Sequence, residues 1–327
     1  MRIQKPIISK QVSIEQISKS CNYDVKNFTE KFFNFQYAWM NNAYNAFKDF
    51  DKYIILVYLI NKTLKTYKEH FYNLSFEDFY KSESFEIEKV SIIEIVEKLS
   101  LSKETARRKI NELNKSGIIR RDKKNIFILN PFKYQKPINN IKEISKLLAY
   151  TSINLNKIYG MKSLEDAYFE NVIKKNYTRY WHVFLNFQLN YITRQKFFFE
   201  SIDCFYIFGT CVINQSFNLK NSNSSNKEKL INFKNFPSLI TEFTKLKSYG
   251  LNPTTISELT GIPRASVIRK LKDLSNKKLL VNDNQNLFRM VSEKDNPRAF
   301  NKISKFFQQN QSLIRNCLKD LINQIII

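Results

Sequence analysis

The chain repeats itself, and that constrains its fold more than any other feature. FNFQ at 33–36 matches LNFQ at 185–188, and the gap-free continuation brings Asp51 onto Asp203, an offset of 152 residues. A second block runs without gaps from Ile95 onto Ile256 through Arg108 onto Arg269, Lys109 onto Lys270, Leu113 onto Leu274, Asp122 onto Asp283 and Phe127 onto Phe288, at an offset of 161. A third, weaker block lays 142–148 over 301–307 at an offset of 159. The polar run NSNSSNKEK at 221–229 accounts for the first change of offset as a loop inserted in the second copy. Two similar segments imply two similar units. The expected division is 1–155 and 160–327, each a helical segment followed by one shared motif, the second with a further C-terminal helix.

Local patterns fill in each copy. In the first, 29–47 and 51–70 carry apolar and aromatic residues at helical spacing. FEIEKVS at 85–91 alternates like an edge strand of a small sheet. SIIEIVEKL at 91–99 opens on the N-cap Ser91 and keeps Ile92, Ile95, Val96 and Leu99 on one face. Ser100 and Leu101 turn the chain, Ser102 caps a second helix whose Ala106, Ile110 and Leu113 face a core, and Gly117 ends it. Lys103, Glu104, Arg107, Arg108 and Asn111 are thereby directed away from that core, toward solvent or a ligand. IIRR and NIFIL read as two strands around DKK at 122–124, a hairpin with cations at its tip. The predicted fold class is mainly α with small β-hairpins.

A net charge of +23 and a pI near 9.7 point to a polyanion, either nucleic acid or an anionic membrane surface. Lys, Asn, Ile, Phe and Tyr are abundant while Gly and Pro are scarce, a bias that A+T-rich coding alone produces, so bulk charge is only permissive. Its location says more. Residues 98–124 hold ten Lys and Arg against three Asp and Glu, a net of +7, and the matching window 259–285 holds six against two, a net of +4.

Other chemistry finds little support. Cys21, Cys204, Cys211 and Cys317 show no CxxC pairing, so neither a zinc site nor a disulfide framework is expected. His70 and His182 are isolated, and the five glycines form neither a phosphate loop nor a dinucleotide fingerprint. No GxSxG elbow occurs. The expectation is a non-enzyme with no cofactor and no metal. Apolar runs such as YIILVYLI at 53–60 are too short to cross a bilayer, and the N-terminus has no apolar core of signal-peptide length. A cytoplasmic, nucleoid-associated protein with no membrane partner is expected. The aromatic helices, with Phe32, Phe33, Phe35, Tyr37 and Trp39 in one copy and Tyr180, Trp181, Phe184 and Phe187 in the other, read as core and inter-copy interface or as the lining of an effector pocket. The amphipathic, then apolar, segment 313–327 reads as packing on the body or as an oligomer interface, with membrane attachment as a further alternative.

The motif resembles a known family. LSLSKETARRKINELNKSGIIRR looks like the winged helix-turn-helix of bacterial transcription regulators, and SKETARR is similar to the recognition helix of the catabolite activator and fumarate-nitrate regulators. TISELTGIPRASVIRKLKDLSNKKLL in the second copy is similar to the GntR and MarR type. The resemblance implies that Ser102 and Thr105 anchor the phosphate backbone, and that Lys103, Glu104 and Arg108 face base edges in the major groove, with Arg107 and Asn111 on the same exposed surface. Arg120, Arg121, Lys123 and Lys124 on the wing would reach phosphates or the minor groove. In the second copy the matching residues are Arg264, Ser266 and Arg269, joined by the cations Lys270 and Lys272. This copy departs from the first: Ala265 replaces the acidic residue, Pro263 replaces the capping Ser, and its wing NDNQN at 282–286 has no cation.

The resemblance therefore implies two tandem winged-helix units forming an internal pseudo-dimer. The function it implies is sequence-specific binding of double-stranded DNA by a transcription regulator. RNA polymerase or other transcription proteins are further candidate partners, and the chain would act as a monomer (pseudo-dimer) or as a homo-dimer. Two alternatives stand beside it: a plasmid or phage replication initiator with two winged helices, and a protein-interaction module using one winged helix, for which the second copy is the better candidate.

Overall fold

The computed structural model describes residues 10–82, 84–87, 89–121, 126–129, 137–225, 238–239, 241, 250–283 and 285–326. Helix α1 (Ile14–Tyr23) is followed by α2 (Val25–Phe47), which is capped by the Asp24 carboxylate accepting from the Asn27 N–H. Lys48 closes α2 in the left-handed region, and Asp49 at once caps α3 (Phe50–Glu69) by accepting from the Lys52 N–H. After α4 (Phe76–Lys81) and β1 (Ser84–Ile87) come α5 (Ile92–Leu99), α6 (Lys103–Lys115), β2 (Ile119–Arg121), β3 (Ile126–Leu129), α7 (Ile138–Tyr159) and α8 (Asp166–Lys175). The second half opens with α9 (Tyr177–Phe199) and α10 (Ile202–Ser225), continues with α11 (Pro253–Thr260), α12 (Arg264–Asn276), β4 (Leu280–Asn282) and β5 (Phe288–Met290), and closes with α13 (Pro297–Ile326).

Element boundaries recur at the spacings found in the sequence. Helices α2 and α9 are each 23 residues long and start 152 apart; α9 is followed by left-handed Glu200, and Ser201 accepts from the Cys204 N–H where Asp49 accepts from Lys52. The pairs α5 and α11, α6 and α12, and β2 and β4 all match at 161. Ser100 and Gly261 are the left-handed C-caps of α5 and α11.

By contact, the chain divides into two compact units. Unit 1 gathers Met1–Ser20, Asp49–Thr193 and Leu313–Ile327; unit 2 gathers Cys21–Lys48 and Arg194–Ser312. Compact unit and sequence copy are thus different things. Helix α2, from the first copy, belongs to unit 2, while most of α9, from the second, belongs to unit 1, and the expected boundary near 155–160 falls inside unit 1 at the end of α7.

Unit 1 packs α3 against α5 and α6 and buries Ile54, Ile55, Leu59 and Leu64 of α3, Ile95 and Leu99 of α5, and Ala106, Ile110 and Leu113 of α6. Phe79 of α4 stacks on Phe85 of β1 at 4.4 Å, and Trp181 of α9 stacks on Phe184 at 4.1 Å. The antiparallel sheet has the order β1-β3-β2, so β1 is an edge, shorter than the 85–91 stretch expected. The C-terminal part of α13 packs on this unit: Ile314, Leu318, Leu321 and Ile322 are buried, and the Asn323 amide exchanges hydrogen bonds with the Val12 backbone at 2.7 and 3.0 Å.

Unit 2 buries Phe35 and Trp39 of α2, Phe205, Ile207 and Phe208 of α10, and Val267, Leu271 and Leu274 of α12. Its hairpin, β4 with β5, gains one antiparallel bridge from Leu251 to Phe288 where unit 1 has a full third strand. Gly250 permits that approach, because a Cβ there would lie 2.7 Å from the Leu287 Cβ. Helix α10 runs on through Ser225, so the first residues of the expected polar loop are helical, and the rest of that loop lies outside the described residues.

Candidate nucleic-acid interface

In unit 1 the short helix α5 and the longer α6 form the helix-turn-helix. Ser91 caps α5 by accepting from the Glu94 N–H at 3.0 Å. Ser102 caps α6 by accepting from the Thr105 N–H at 3.1 Å, and its hydroxyl donates to Thr105 Oγ1 at 2.8 Å. The two residues expected to anchor phosphate are therefore joined to each other at the helix start. With Ala106, Ile110 and Leu113 buried, spacing places Lys103, Glu104, Arg107, Arg108, Asn111 and Lys115 on the exposed surface of α6, as the apolar pattern requires. Arg108 lies 3.9 Å from Glu112, a loose pair on its own helix. Arg120 and Arg121 of β2 are exposed; Lys123 and Lys124, expected at the tip, lie outside the described residues.

The inner side of α6 is ionic. The Lys109 ammonium sits 2.6 Å from the Asp49 carboxylate at the start of α3 and 3.3 Å from Glu112, while Lys52 pairs with Glu112 at 2.7 Å. Burial pushes the Lys109 ammonium down, but hydrogen bonds and charge from Asp49 and Glu112 outweigh it and hold it above its ordinary value. The Glu112 carboxyl is held below its ordinary value, first by the hydrogen bond from Lys52. A second tie links α5 to α3: Glu94 accepts from the Tyr58 hydroxyl and from Lys62 at 2.9 Å. Burial raises the Glu94 carboxyl, and the Tyr58 and Lys62 hydrogen bonds more than reverse this. Lys109, counted among the cations of this window, thus holds α6 to the body. Apolar spacing foreshadowed it, since Lys109 falls next to Ile110 and three residues after Ala106.

Unit 2 repeats the backbone with different side chains. Pro263 stands at the N-cap of α12 without a side-chain cap, and the Arg264 Nε donates to Thr254 Oγ1 at 3.1 Å. Arg264, Ala265, Ile268, Arg269 and Lys272 are exposed; Ser266 and Lys270 are half-buried, Lys270 with its charge near Cys204 of α10. The wing is closed by Asp283, whose Oδ1 accepts from the Gln285 and Leu287 N–H groups at 2.9 Å each. Arg289 of β5 forms a two-pronged pair with Asp295 at 2.6 and 3.0 Å, and Lys277 pairs with Glu200 at 2.6 Å. Periodicity identified the exposed cations but not Ile268, an apolar residue at an outward position, whose only sequence signal is that it falls outside the Val267, Leu271 and Leu274 spacing.

The histidines serve the framework. His182 is buried with its Nδ1 at 2.9 Å from Asn61 Oδ1, and burial, followed by the nearby Lys68, lowers its proton affinity. His70 caps the end of α3, its Nδ1 near the Thr66 carbonyl. Among the described residues, no single helix is long and apolar enough to cross a membrane.

Two adjoining helices with the second presenting cations, followed by an antiparallel hairpin with further cations, form a surface that fits a nucleic-acid groove. Residues 86–123 match a DeoR-like helix-turn-helix domain. The match runs from β1 through α5 and α6 to the end of β2 and covers the exposed face of α6. It supports a helix-turn-helix DNA-binding transcription regulator, with a DeoR-like motif where SKETARR had suggested the catabolite activator and fumarate-nitrate type. No curated protein and no solved structure matches the chain.

Proposed function

We propose that the chain is a sequence-specific double-stranded DNA-binding transcription regulator that acts as a single-chain pseudo-dimer, each copy contributing one winged helix. The observation that carries this reading is the presence of two helix-turn-helix and hairpin arrays with boundaries in register, each with exposed cations on its second helix. The exchange of long helices adds support, since α2 of the first copy lies in unit 2 and most of α9 of the second lies in unit 1. Fusion of an intertwined dimer would produce that arrangement. Homodimeric regulators present two reading helices about 34 Å apart to successive major grooves. A fused pair needs no dimerisation step, and each bound half raises the local concentration of the other. Such a protein works in the cytoplasm on nucleoid DNA, with RNA polymerase or other transcription proteins as further partners.

Lys103, Glu104, Arg108 and Arg269 are assigned to base edges. Ser102, Thr105, Arg107, Asn111, Arg120, Arg121, Lys123, Lys124, Arg264, Ser266, Lys270 and Lys272 support them at phosphates or along the groove. Selection of bound duplexes from a random pool by the full-length protein, at near-physiological salt, tests the reading. A motif with two unlike half-sites about one helical turn apart supports it; general binding that is steeply salt-sensitive would leave the +23 charge as sufficient explanation.

A further inference from the structure

We infer that Ile268 of α12 reads thymine, packing its side chain against the C5-methyl group in the major groove. The inference rests on the proposal that the second copy binds DNA, and it adds the chemical identity of one base in that copy's half-site.

An exposed isoleucine is unremarkable on most surfaces, so its position has to carry the argument. Ala265, Ile268, Arg269 and Lys272 stand at i, i+3, i+4 and i+7, one face of the helix opposite the buried Val267, Leu271 and Leu274. Ile268 is in the middle of that face and 43% exposed. It occupies the position that Arg107 holds in the first copy, at the same offset of 161 that relates Arg269 to Arg108. Cations flank it on this side of the helix, for Arg264, Arg269 and Lys272 are exposed and lie within about one turn, and no acidic residue occurs between 264 and 272.

A partner that covers this face must accept positive charge all round and apolar surface at its centre. A DNA major groove does both, because phosphates line its edges and thymine is the base that displays a methyl group there. An apolar protein partner would leave the cations to be desolvated without compensation. Ala265, in place of the acidic Glu104, removes the carboxylate that would accept from cytosine, and its methyl extends the apolar strip. The two copies would then read different bases from one backbone.

The test changes the DNA and leaves the folded protein untouched. Full-length protein is titrated against the duplex it selects and against versions in which each thymine in both half-sites is replaced in turn by deoxyuridine, which lacks only the methyl group. One or two of these replacements should weaken binding by about fourfold, the worth of one buried methyl-sized group. The same replacements should have no effect on the Ile268→Ala variant. If wild-type protein binds every deoxyuridine duplex as tightly as the parent, the thymine contact is wrong. Arg269→Ala, titrated in parallel, separates the two failures: weaker binding leaves the DNA role of α12 standing, whereas unchanged binding overturns that role too and points to a protein partner.

Discussion

In unit 1 the helix pair is tied to α3 by charge: Lys109 on Asp49 and Lys52 on Glu112 hold α6, and Lys62 with Tyr58 on Glu94 holds α5. In unit 2 the positions in register with Asp49, Lys52, Tyr58, Lys62 and Glu94 are Ser201, Cys204, Thr210, Asn214 and Thr255, and only Lys270 and Asp273 keep the charges of Lys109 and Glu112. Here α12 rests on α10 through buried Val267, Leu271 and Leu274, and the Gln215 side chain accepts from the Met290 N–H at 2.9 Å. The outer faces diverge as well, with Glu104 and Arg107 on one helix and Ala265 and Ile268 on the other. One backbone plan thus tolerates two ways of docking the second helix of the pair and two surfaces to present. What the two copies share is the position of the apolar core residues, Ala106, Ile110 and Leu113 against Val267, Leu271 and Leu274, because a helix crossing is fixed by packing while charges at its margin are interchangeable.

The largest expected effect concerns DNA discrimination. Arg108→Ala should cost about 1 to 3 kcal/mol at one base pair, and Arg269→Ala a similar amount at a different pair in the other half-site, measured by titration against single-base variants. If both variants lose discrimination at the same base pair, the assignment of one half-site to each helix fails.

Docking should come next in size. Glu112→Gln or Lys109→Ala should destabilise unit 1 by about 1 to 2 kcal/mol, because each breaks charged hydrogen bonds at a half-buried site. Lys270→Ala, which has Ser201 where Lys109 has Asp49, should cost less. Denaturant unfolding, with hydrogen exchange to separate the units, measures both. An equal loss in the two units would erase the contrast.

Acid sharpens the same comparison. Glu94 and Glu112 are held below their ordinary value of 4.5 in the folded chain. Their contribution is therefore fully present above that value and is lost as pH falls through the lower folded values. Lys109, held above its ordinary 10.5, contributes below that value and loses its contribution only as pH rises through the higher folded one. In unit 2 the Asp295 carboxyl is held lower still, chiefly by Arg289. Exchange at α5 and α6 should accelerate as pH falls below 4.5, at a pH where the link between β5 and Asp295 is still intact; simultaneous loosening would count against this.

The smallest effect concerns the turn after α6 and the turn after α12. Gly117 and Lys278 both have positive φ, 67° and 58°. Lys278→Gly should stabilise unit 2 by about 0.5 to 1 kcal/mol, and Gly117→Ala should destabilise unit 1 by about 1 kcal/mol, since only glycine adopts that region without strain. Thermal melts check the signs.

How much of this was legible in the sequence follows from what each signal measures. Caps and short amphipathic helices are local, so Ser91, Ser102, Ala106, Ile110 and Leu113 were read correctly. Helical spacing in α2 and α9 reveals a buried face but not its partner, so nothing in the chain announced that these helices lie in units built mostly from the other copy. The ties of Lys109 and Lys52 were hidden because Asp49 and Glu112 are distant in sequence and ion pairing leaves no periodic trace. Ile268 was not legible as a surface residue because a lone isoleucine among buried Val267, Leu271 and Leu274 carries no charge to mark it as outward-facing.

The most direct measurement is the affinity for the selected duplex before and after insertion of about five base pairs, half a helical turn, between its half-sites. If one chain places two reading helices on one face of the duplex, the insertion rotates one half-site away and the bound complex falls to single-site affinity. Unchanged affinity after insertion would mean that one winged helix alone reads DNA, and the pseudo-dimer would be contradicted.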